Sequence, residues 1–432
     1  MEVNMMKRTK IITSVLAGSV LLGGLAGCSG SAPAKNNAKY EPEVNYAAVK
    51  EGTYQSFDQK KAQEGYNEYA MTLFSKVASD SGDRNVMISP ASIMFALDLL
   101  DAGACKNTLA EINKAIGGGD LTPEQQQAFA SDWMKSINSS EKVKFNVANA
   151  IWSNKKIIGD DMNKDYIEYV DKLFDAKVKS MDFGANAVND INGWVNEKTL
   201  GMINEIVDEL DSITAAVLVN AIAFEGAWQD QYEITKDGTF KGTAGDSDAK
   251  FLSETSSLYY ETDKAIGFSK YYEGGQYMFV AILPKDETAD ANKFMSDFTA
   301  EDYSKFMGSV TGNYDVDSLI PKFSYDYEDL DFIKRLKALG IEDACDSVKA
   351  DLTGIANIGE NLYVAKAIHK THIEVDENGT KAAAATAIAV DAEGAFFGEK
   401  ETRSVICDRP FAYMIVDAER NMPVFVGTVN NI

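Results

Sequence analysis

Residues 377–394 read ENGTKAAAATAIAVDAEG, and this stretch decides which fold we expect for the rest of the chain. Its alanine run, Ala382 to Ala385, has high helix propensity. The stretch also alternates with the two-residue period of a β-strand. Gly379 at its foot gives the backbone the freedom that a change of path requires. On composition alone, the stretch is either a segment that can leave solvent and join a sheet or a flexible linker of small residues.

The alternation separates two faces of very different character. One face carries residues that a sheet can bury, and it ends in β-branched bulk: Thr380, Ala382, Ala384, Thr386, Ile388 and Val390. The other face is small and has polar residues at its ends: Lys381, Ala383, Ala385, Ala387, Ala389 and Asp391. No residue of the first face is too large or too charged for a buried position.

The hinge ENGTKAAAAT at 377–386 resembles the hinge of an inhibitory serpin, and the resemblance extends from about Tyr54 to Ile432. The other matching motifs follow in the order of the family: NVMISPASI at 85–93, TLAEI at 108–112, NAIAFEGAW at 220–228, LIPKF at 319–323, RPF at 409–411 and PVFVG at 423–427. The resemblance implies the serpin fold, which is mixed α/β. It has a large, mainly antiparallel central sheet, surrounding helices and an exposed reactive-centre loop at about 377–408.

The function that the resemblance implies is the trapping of a protease. An inhibitory serpin offers a loop bond to a serine protease, forms an acyl-enzyme and inserts the cut loop into its sheet. The implied partner is therefore a serine protease held covalently, and cysteine proteases also form acyl-enzymes. The residues that would act as the hinge are Glu377, Gly379, Thr380, Ala382, Ala383, Ala384, Ala385 and Thr386.

The runner-up function is that of a non-inhibitory serpin-fold protein that binds a partner at the cell surface. Such proteins usually carry bulky or charged residues at the inward hinge positions. Thr380 and the alanines that follow it are small enough to be buried, which favours inhibition. Lys381 departs from the more common acidic residue, but it would face solvent after insertion.

The sequence does not decide which peptide bond the target protease would cleave. Counting from Glu377 as the family counts gives the bond between Glu393 and Gly394. The segment before Arg409 is several residues longer than usual, so other positions remain candidates: Val390, Ala392, Phe396, Phe397, Lys400 and Arg403. Together the candidates point to four classes of protease: acidic-specific, chymotrypsin-like, trypsin-like and elastase-like.

The resemblance also assigns residues that control the opening of the sheet: Ser89, Ser92, Asn220, Trp228, Lys322 and His369. In the family, the two serines lie beneath the centre of the sheet, and His369 hydrogen-bonds Asn220 across it. Lys322 and Glu377 form an ion pair at the top of the sheet, beside Trp228.

The amino end has the pattern of a targeting segment. Lys7, Arg8 and Lys10 precede an apolar run, Ile11 to Leu25, that is too short to span a membrane. The run ends in LAGC at 25–28, which resembles a bacterial lipoprotein cleavage site. We therefore expect a signal peptide at 1–27, a lipid on Cys28, a flexible polar tether at 28–53 and a serpin domain at 54–432. The alternative is an ordinary secretory signal with an incidental cysteine. Either a membrane anchor or secretion places the protein outside the cytoplasm, and the anchor places it at the cell surface.

Composition excludes several classes of function. The net charge of −24 argues against binding to nucleic acid or other polyanions. Cys105, Cys345 and Cys407 form no C-x-x-C pair, so we expect no zinc or redox site and three buried or half-buried thiols. The two histidines, His369 and His372, accompany no G-x-S-x-G or H-E-x-x-H motif, so we expect no enzyme, metal or cofactor. No linker or repeat divides the body, so we expect one domain. We also expect a monomer.

Overall fold

The computed structural model describes residues 16–24, 44, 46, 56–117, 119–138, 142–159, 162–199, 201, 203–210, 214–256, 258–358, 361–380 and 400–432. Within these ranges, the backbone alone is described at 16–24, 138, 146–148, 185 and 220–223. The helices of the described residues are α1 (Gln59–Ser79), α2 (Pro90–Asp101), α3 (Lys106–Gly117), α4 (Pro123–Asn138), α5 (Lys164–Phe174), α6 (Ala185–Lys198), α7 (Ala291–Ser296), α8 (Ala300–Gly308) and α9 (Ile333–Ala338).

The strands, in chain order, are β1 (Leu16–Gly24), β2 (Val86–Ile88), β3 (Lys144–Asn154), β4 (Lys177–Met181), β5 (Thr214–Ala227), β6 (Ile234–Gly242), β7 (Gly245–Ser256), β8 (Tyr259–Glu261), β9 (Ala265–Tyr271), β10 (Tyr277–Pro284), β11 (Tyr314–Pro321), β12 (Phe323–Asp329), β13 (Leu362–Val375), β14 (Gly379–Thr380), β15 (Glu401–Ile406), β16 (Phe411–Asp417) and β17 (Met422–Val429).

These strands form three sheets in the described part of the chain. The central sheet has seven strands, which run from β4 through β3 to β5, then to β1 and β14, and finally to β13 and β12. A second sheet has the order β2-β17-β16-β10-β9-β8, and a third has the order β15-β11-β7-β6. The pairings are antiparallel except for β3 with β4 and β11 with β15. The predicted mixed fold with a large, mainly antiparallel central sheet is confirmed.

The space between β5 and β13 is called the lane below. β1 lies in it and pairs antiparallel with both neighbours, from Ala17 opposite Lys370 to Gly24 opposite Leu362 on the β13 side. On the β5 side, β1 runs from Leu16 opposite Ile222 to Gly23 opposite Thr214. β14 enters the same lane from its other end and also pairs with both strands.

Helix α2 fills the space between the central and second sheets. Ser89 caps it, because its side chain accepts a 3.1 Å hydrogen bond from the Ser92 amide, and Pro90 takes the first helical position. Every residue of the helix is buried, and the helix contacts both β5 and β17. The helix is therefore central to the fold, and its capping residue lies in the motif NVMISPASI.

This helix also buries two carboxyl groups, at Asp98 and Asp101, which are both inaccessible to solvent. The Gln127 side-chain amide donates a 2.7 Å hydrogen bond to Asp101, and Tyr169 donates in turn to Gln127. Burial raises the pKa of Asp101 to about 8 and that of Asp98 well above its usual range. The folded protein therefore favours the protonated form of Asp101 at pH values below about 8.

Several further elements follow from their local sequence. The apolar run from Tyr277 forms the fully buried strand β10. Helix α9 ends at Ala338, and Gly340 has a φ of +90°, the left-handed conformation that terminates helices. Cys105 and Cys407 are buried and Cys345 is half-buried, all three as free thiols.

Candidate functional site: the hinge and the lane

The hinge begins as a tight turn that the Asp376 carboxylate organises. It accepts hydrogen bonds of 2.7 Å from the Asn378 amide and 3.2 Å from the Gly379 amide. The Asp376 amide donates to the Gly379 carbonyl at 3.0 Å, which closes the turn. The turn reverses the chain at the end of β13, so that β14 runs back into the lane.

Trp228 holds this turn through both its side chain and its backbone. Its indole N–H donates to the Asp376 carbonyl at 2.9 Å, and its backbone amide donates to the Asn378 carbonyl at 2.9 Å. The Tyr232 amide donates to the Glu377 carbonyl at 3.0 Å. The predicted site residue Trp228 therefore contacts the hinge directly and fixes where the loop leaves β13.

Thr380 is already part of the sheet. It stands opposite Gly226 of β5 and Val375 of β13, and it is only 2% exposed. Its hydroxyl shares a 2.6 Å hydrogen bond with the hydroxyl of Tyr272. The expectation that Thr380 starts in the exposed loop is wrong, because the turn at 376–379 delivers it into the lane.

The ring of Tyr272 packs closely against the backbone of β5 at Gly226. Its ring stacks on Trp228 with centroids 4.6 Å apart. A Cβ on Gly226 would lie 2.8 Å from a carbon of the Tyr272 ring, so glycine is required at that point of β5. Gly226 thus serves the packing beneath the hinge.

The ion pair predicted between Lys322 and Glu377 is present at the top of the lane. The hydrogen bond from Lys322 is the main reason that the pKa of Glu377 lies below its usual range. The two side chains are 33% and 39% exposed, so solvent screens the pair and its contribution to stability is modest.

A buried charge beneath the hinge was missed by the sequence analysis. Lys270 is 7% exposed, pairs with Glu254 and places its ammonium 4.4 Å from the ring centre of Tyr232. Burial raises the pKa of Glu254, and the ammonium opposes that rise. No sequence signal links Lys270 to the hinge, since the two are far apart along the chain.

At the centre of the sheet, Ser89 and His369 are in contact and fully buried. The Ser89 hydroxyl donates to the Val424 carbonyl at 2.8 Å, and its amide donates to Nε2 of His369 at 3.4 Å. Burial lowers the pKa of His369 to about 3, so the ring is neutral. The Ser89 hydroxyl is committed to a backbone carbonyl and is not directed at the imidazole.

His369 and Asn220, which the resemblance places in hydrogen-bond contact, are not on neighbouring strands in this structure. Both residues stand opposite Gly18, His369 on β13 and Asn220 on β5. One complete strand therefore separates the two residues that the resemblance placed in contact.

The comparisons with known proteins agree with this architecture. Residues 64–432 match the family model described as serpin, serine protease inhibitor. The chain belongs to the serpin family. It is 32% identical to human Serpin B7 over 376 residues, which cover 81% of this chain and 94% of that protein. It is 29% identical over 448 residues to an uncharacterized serpin-like protein of Thermococcus kodakarensis, with 99% of each chain covered. The native crystal structure of the thermophilic serpin tengpin superposes with a TM-score of 0.78 at 32% identity, covering 88% of this chain and 96% of that one.

The carboxyl end of the serpin's loop lies earlier than expected. Arg403 lies in β15, opposite Val316 of β11, and its guanidinium stands 4.7 Å from the ring centre of Tyr314. The loop therefore ends near Lys400, whose ammonium donates to the Gly312 carbonyl, and not at 408. The bond at Arg403 does not suit cleavage by a target protease. A protease cleft requires a free extended segment, and Arg403 is paired in β15.

The remaining candidate residues of the loop lie outside the described residues: Ala382, Ala383, Ala384, Ala385, Thr386, Val390, Ala392, Glu393, Gly394, Phe396 and Phe397. Cys28 lies outside them as well. Within the described ranges, no helix is long and apolar enough to cross a membrane. The same ranges contain no group of three His, Cys, Asp or Glu residues arranged to hold a metal ion.

Proposed function

We propose that this serpin inhibits serine proteases by inserting its cleaved loop into the lane. The observation that carries the proposal is the position of β14. Gly379 and Thr380 already pair with β5, and Thr380 also pairs with β13, so the loop starts inside the lane that it would fill.

The register of β14 defines the path of such an insertion. Each further loop residue would move one residue back along β5 and one residue back along β13. Followed from Thr380, both counts place Thr386 opposite Asn220 on one side and opposite His369 on the other. The two neighbouring strands are therefore in phase for a single added strand.

The length of the loop suits the displacement of an attached protease. About 14 residues from Thr380 to Glu393, at about 3.3 Å per residue, would form a strand of roughly 46 Å. New ladder hydrogen bonds and newly buried apolar side chains would drive the insertion. The small residues from Ala382 to Ala385 would enter with little steric resistance, which favours insertion before the acyl bond hydrolyses.

We further propose that the protein acts outside the cytoplasm, attached by a lipid on Cys28. The LAGC motif at 25–28 and the basic residues before the apolar run support this proposal. The lipid would place the inhibitor at a bacterial membrane or envelope, where it would meet extracellular proteases as a monomer.

The test uses the processed protein, with its first residue confirmed by mass spectrometry, and a panel of serine proteases with acidic, aromatic, basic and small-residue specificities. We expect a complex that survives boiling in detergent with at least one protease. Mass spectrometry of the released carboxyl-terminal peptide locates the reactive bond, which we expect between residues 390 and 399. Cleavage by every protease without any stable complex would overturn inhibition and leave a non-inhibitory binding function.

A further inference from the structure

The strand β1 lies in the lane that the proposed function assigns to the loop. Gly18 stands opposite Asn220 on β5 and opposite His369 on β13. The register of β14 would place Thr386 opposite the same two residues. The strand β1 and the inserted loop would thus occupy the same position in the sheet.

The coincidence extends over five consecutive residues. Ala17–Leu21 pair with β5 and β13 without a register shift. When the register of β14 is extended along the loop, Ala385 would take the position of Ala17, and Ala389 would take the position of Leu21. Ala17–Leu21 would therefore exclude Ala385–Ala389. Both segments run antiparallel to their neighbours, so they also share a direction.

The two segments are chemically alike. Residues 17–21 read AGSVL and residues 385–389 read ATAIA. Both are uncharged and contain small residues with a β-branched residue in the fourth place. A lane that pairs with one of these sequences therefore suits the other, and two strands cannot occupy one lane.

We infer that residues 16–24, while joined to the chain, occupy the lane and keep the reactive loop out of it. The unprocessed chain is then already relaxed and does not trap proteases, and removal of residues 1–27 activates it. This inference rests on the loop insertion proposed above, and it adds a control by processing.

The covalent connection explains why processing would matter. After Gly24, the next described residues are Val44 and Tyr46, and Tyr46 is held by a 2.5 Å hydrogen bond to the Ala102 carbonyl. A covalent connection of this length gives β1 an effective concentration on the order of millimolar at the lane. A cut before Cys28 removes that advantage but leaves Tyr46 on the domain. Insertion of the loop, which remains attached at Thr380, then meets no tethered competitor.

Occupancy also has an energetic consequence. The gain that would drive loop insertion comes from filling an open lane with a hydrogen-bonded strand. When β1 already supplies that strand, a cut in the loop yields no such gain. A nicked but unprocessed chain should therefore melt at the same temperature as the intact one.

The test uses the full chain produced in the cytoplasm, where the leader is retained and its presence is verified by mass spectrometry. Val20→Pro removes an amide from the middle of β1, and proline is excluded from strands that are paired on both sides. Val20→Ile keeps the strand preference, and Ala34→Pro places a proline outside β1. All three substitutions leave the described serpin body from residue 44 onward unchanged.

Three readouts are compared across these variants. Hydrogen exchange of residues 16–24 reports whether β1 is paired. The shift in melting temperature after a cut between residues 390 and 399 reports whether the loop enters the lane. Boiling-resistant complex with a protease that the processed protein traps reports inhibition.

We expect slow exchange at 16–24 and no melting shift in the wild type, Val20→Ile and Ala34→Pro. Val20→Pro should lose the protection, gain the melting shift and form at least about tenfold more complex, because it frees the competent state. Fast exchange at 16–24 in the wild type, or an equal melting shift in all four proteins, would overturn the inference.

The readouts also separate this inference from the proposed function. A melting shift confined to Val20→Pro without any trapped protease would uphold competition for the lane and reject inhibition. If neither the four full chains nor the processed protein shows a melting shift, loop insertion fails and the inference fails with it. If the processed protein shows the shift and Val20→Pro has lost its protection but not gained one, the inference alone is overturned.

Discussion

The hydroxyl groups of Thr380 and Tyr272 lie 2.6 Å apart beneath the hinge, although 108 positions separate the two residues in the chain. Both side chains are buried, and the Tyr272 ring rests on Trp228, which also binds the turn at 376–379. The first inward-facing residue of the loop is therefore held in the sheet before any protease arrives. The hinge is consequently both the end of β13 and the start of the added strand.

Thr380→Arg should convert the inhibitor into a substrate. The substitution places a charge without a partner in a buried position, which costs several kcal/mol even after relaxation. Because Thr380 starts in the lane, the uncleaved protein should also lose the pairing of β14. In assays with the processed protein, the protease should cleave the loop. The acyl-enzyme should then hydrolyse, and the protease should remain active.

Two control variants test the assignment of faces. Lys381→Arg retains the charge at the neighbouring position and should trap protease nearly as well as the wild type. Thr380→Val keeps the shape but loses the hydroxyl, which should cost about 1 kcal/mol in melting experiments. Equal trapping by Thr380→Arg and Lys381→Arg would contradict the assignment.

A cut between Val390 and Lys400 should stabilise the processed protein. The freed loop can then complete the lane as a full strand, whereas a nick in an ordinary loop leaves stability unchanged or lower. Melting curves of the intact and nicked forms, recorded under identical conditions, provide the measurement. Coincident curves would remove the basis for a metastable starting state.

Asp101→Asn should stabilise the protein at alkaline pH. The pKa of Asp101 is about 8 in the folded protein and near 3.8 when unfolded, so the folded state holds a proton that the unfolded state releases. Wild-type stability should therefore fall as pH rises from about 4 to 8, with a slope of up to about 1.4 kcal/mol per unit. Asparagine can still accept the hydrogen bond from Gln127 but does not titrate.

The free energy of unfolding measured in urea at pH 5, 6, 7 and 8 tests this effect. The advantage of Asp101→Asn over the wild type should grow with each step. A constant difference across the series would show that Asp101 does not carry the pH dependence.

His369→Gln should remove a pH effect of opposite sign. The imidazole has a pKa of about 3 when folded and 6.5 when unfolded, so only the unfolded chain takes up a proton between these values. Wild-type stability should fall as pH decreases through that window, by up to about 1.4 kcal/mol per unit. Glutamine can accept from the Ser89 amide and does not titrate, so the decline between pH 6.5 and 5 should be smaller. An unchanged decline would assign the effect to other groups.

Cys28→Ala should release the protein from membranes. The substitution removes the thiol that would carry the lipid, and Ser29→Ala serves as a neighbouring control. Fractionation of bacteria that express each full chain, followed by immunoblotting, measures the shift from the membrane to the soluble fraction. If the variant stays in the membrane fraction as the wild type does, another segment provides the anchor.

The sequence by itself determined the family and the local elements that carry it. Some features depend only on neighbours within a few residues, so they can be recognised from the sequence alone. These are the capping pattern at Ser89 and Pro90, the apolar run of β10 and the helix stop at Gly340. The charge complementarity of Lys322 and Glu377 was likewise predictable, because each belongs to a recognisable motif.

Only the tertiary structure decided what lies around the hinge and in the lane. Tyr272 and Lys270 reach the hinge through long-range packing that no local pattern records. The burial of Thr380 depends on where the turn at 376–379 delivers the chain, not on the residue type. The separation of His369 from Asn220 depends on which segment fills the lane, and Ala17–Leu21 suit it as well as Ala385–Ala389. Strand propensity states what a segment can pair with, whereas competition for a single position in a sheet is settled by the whole molecule.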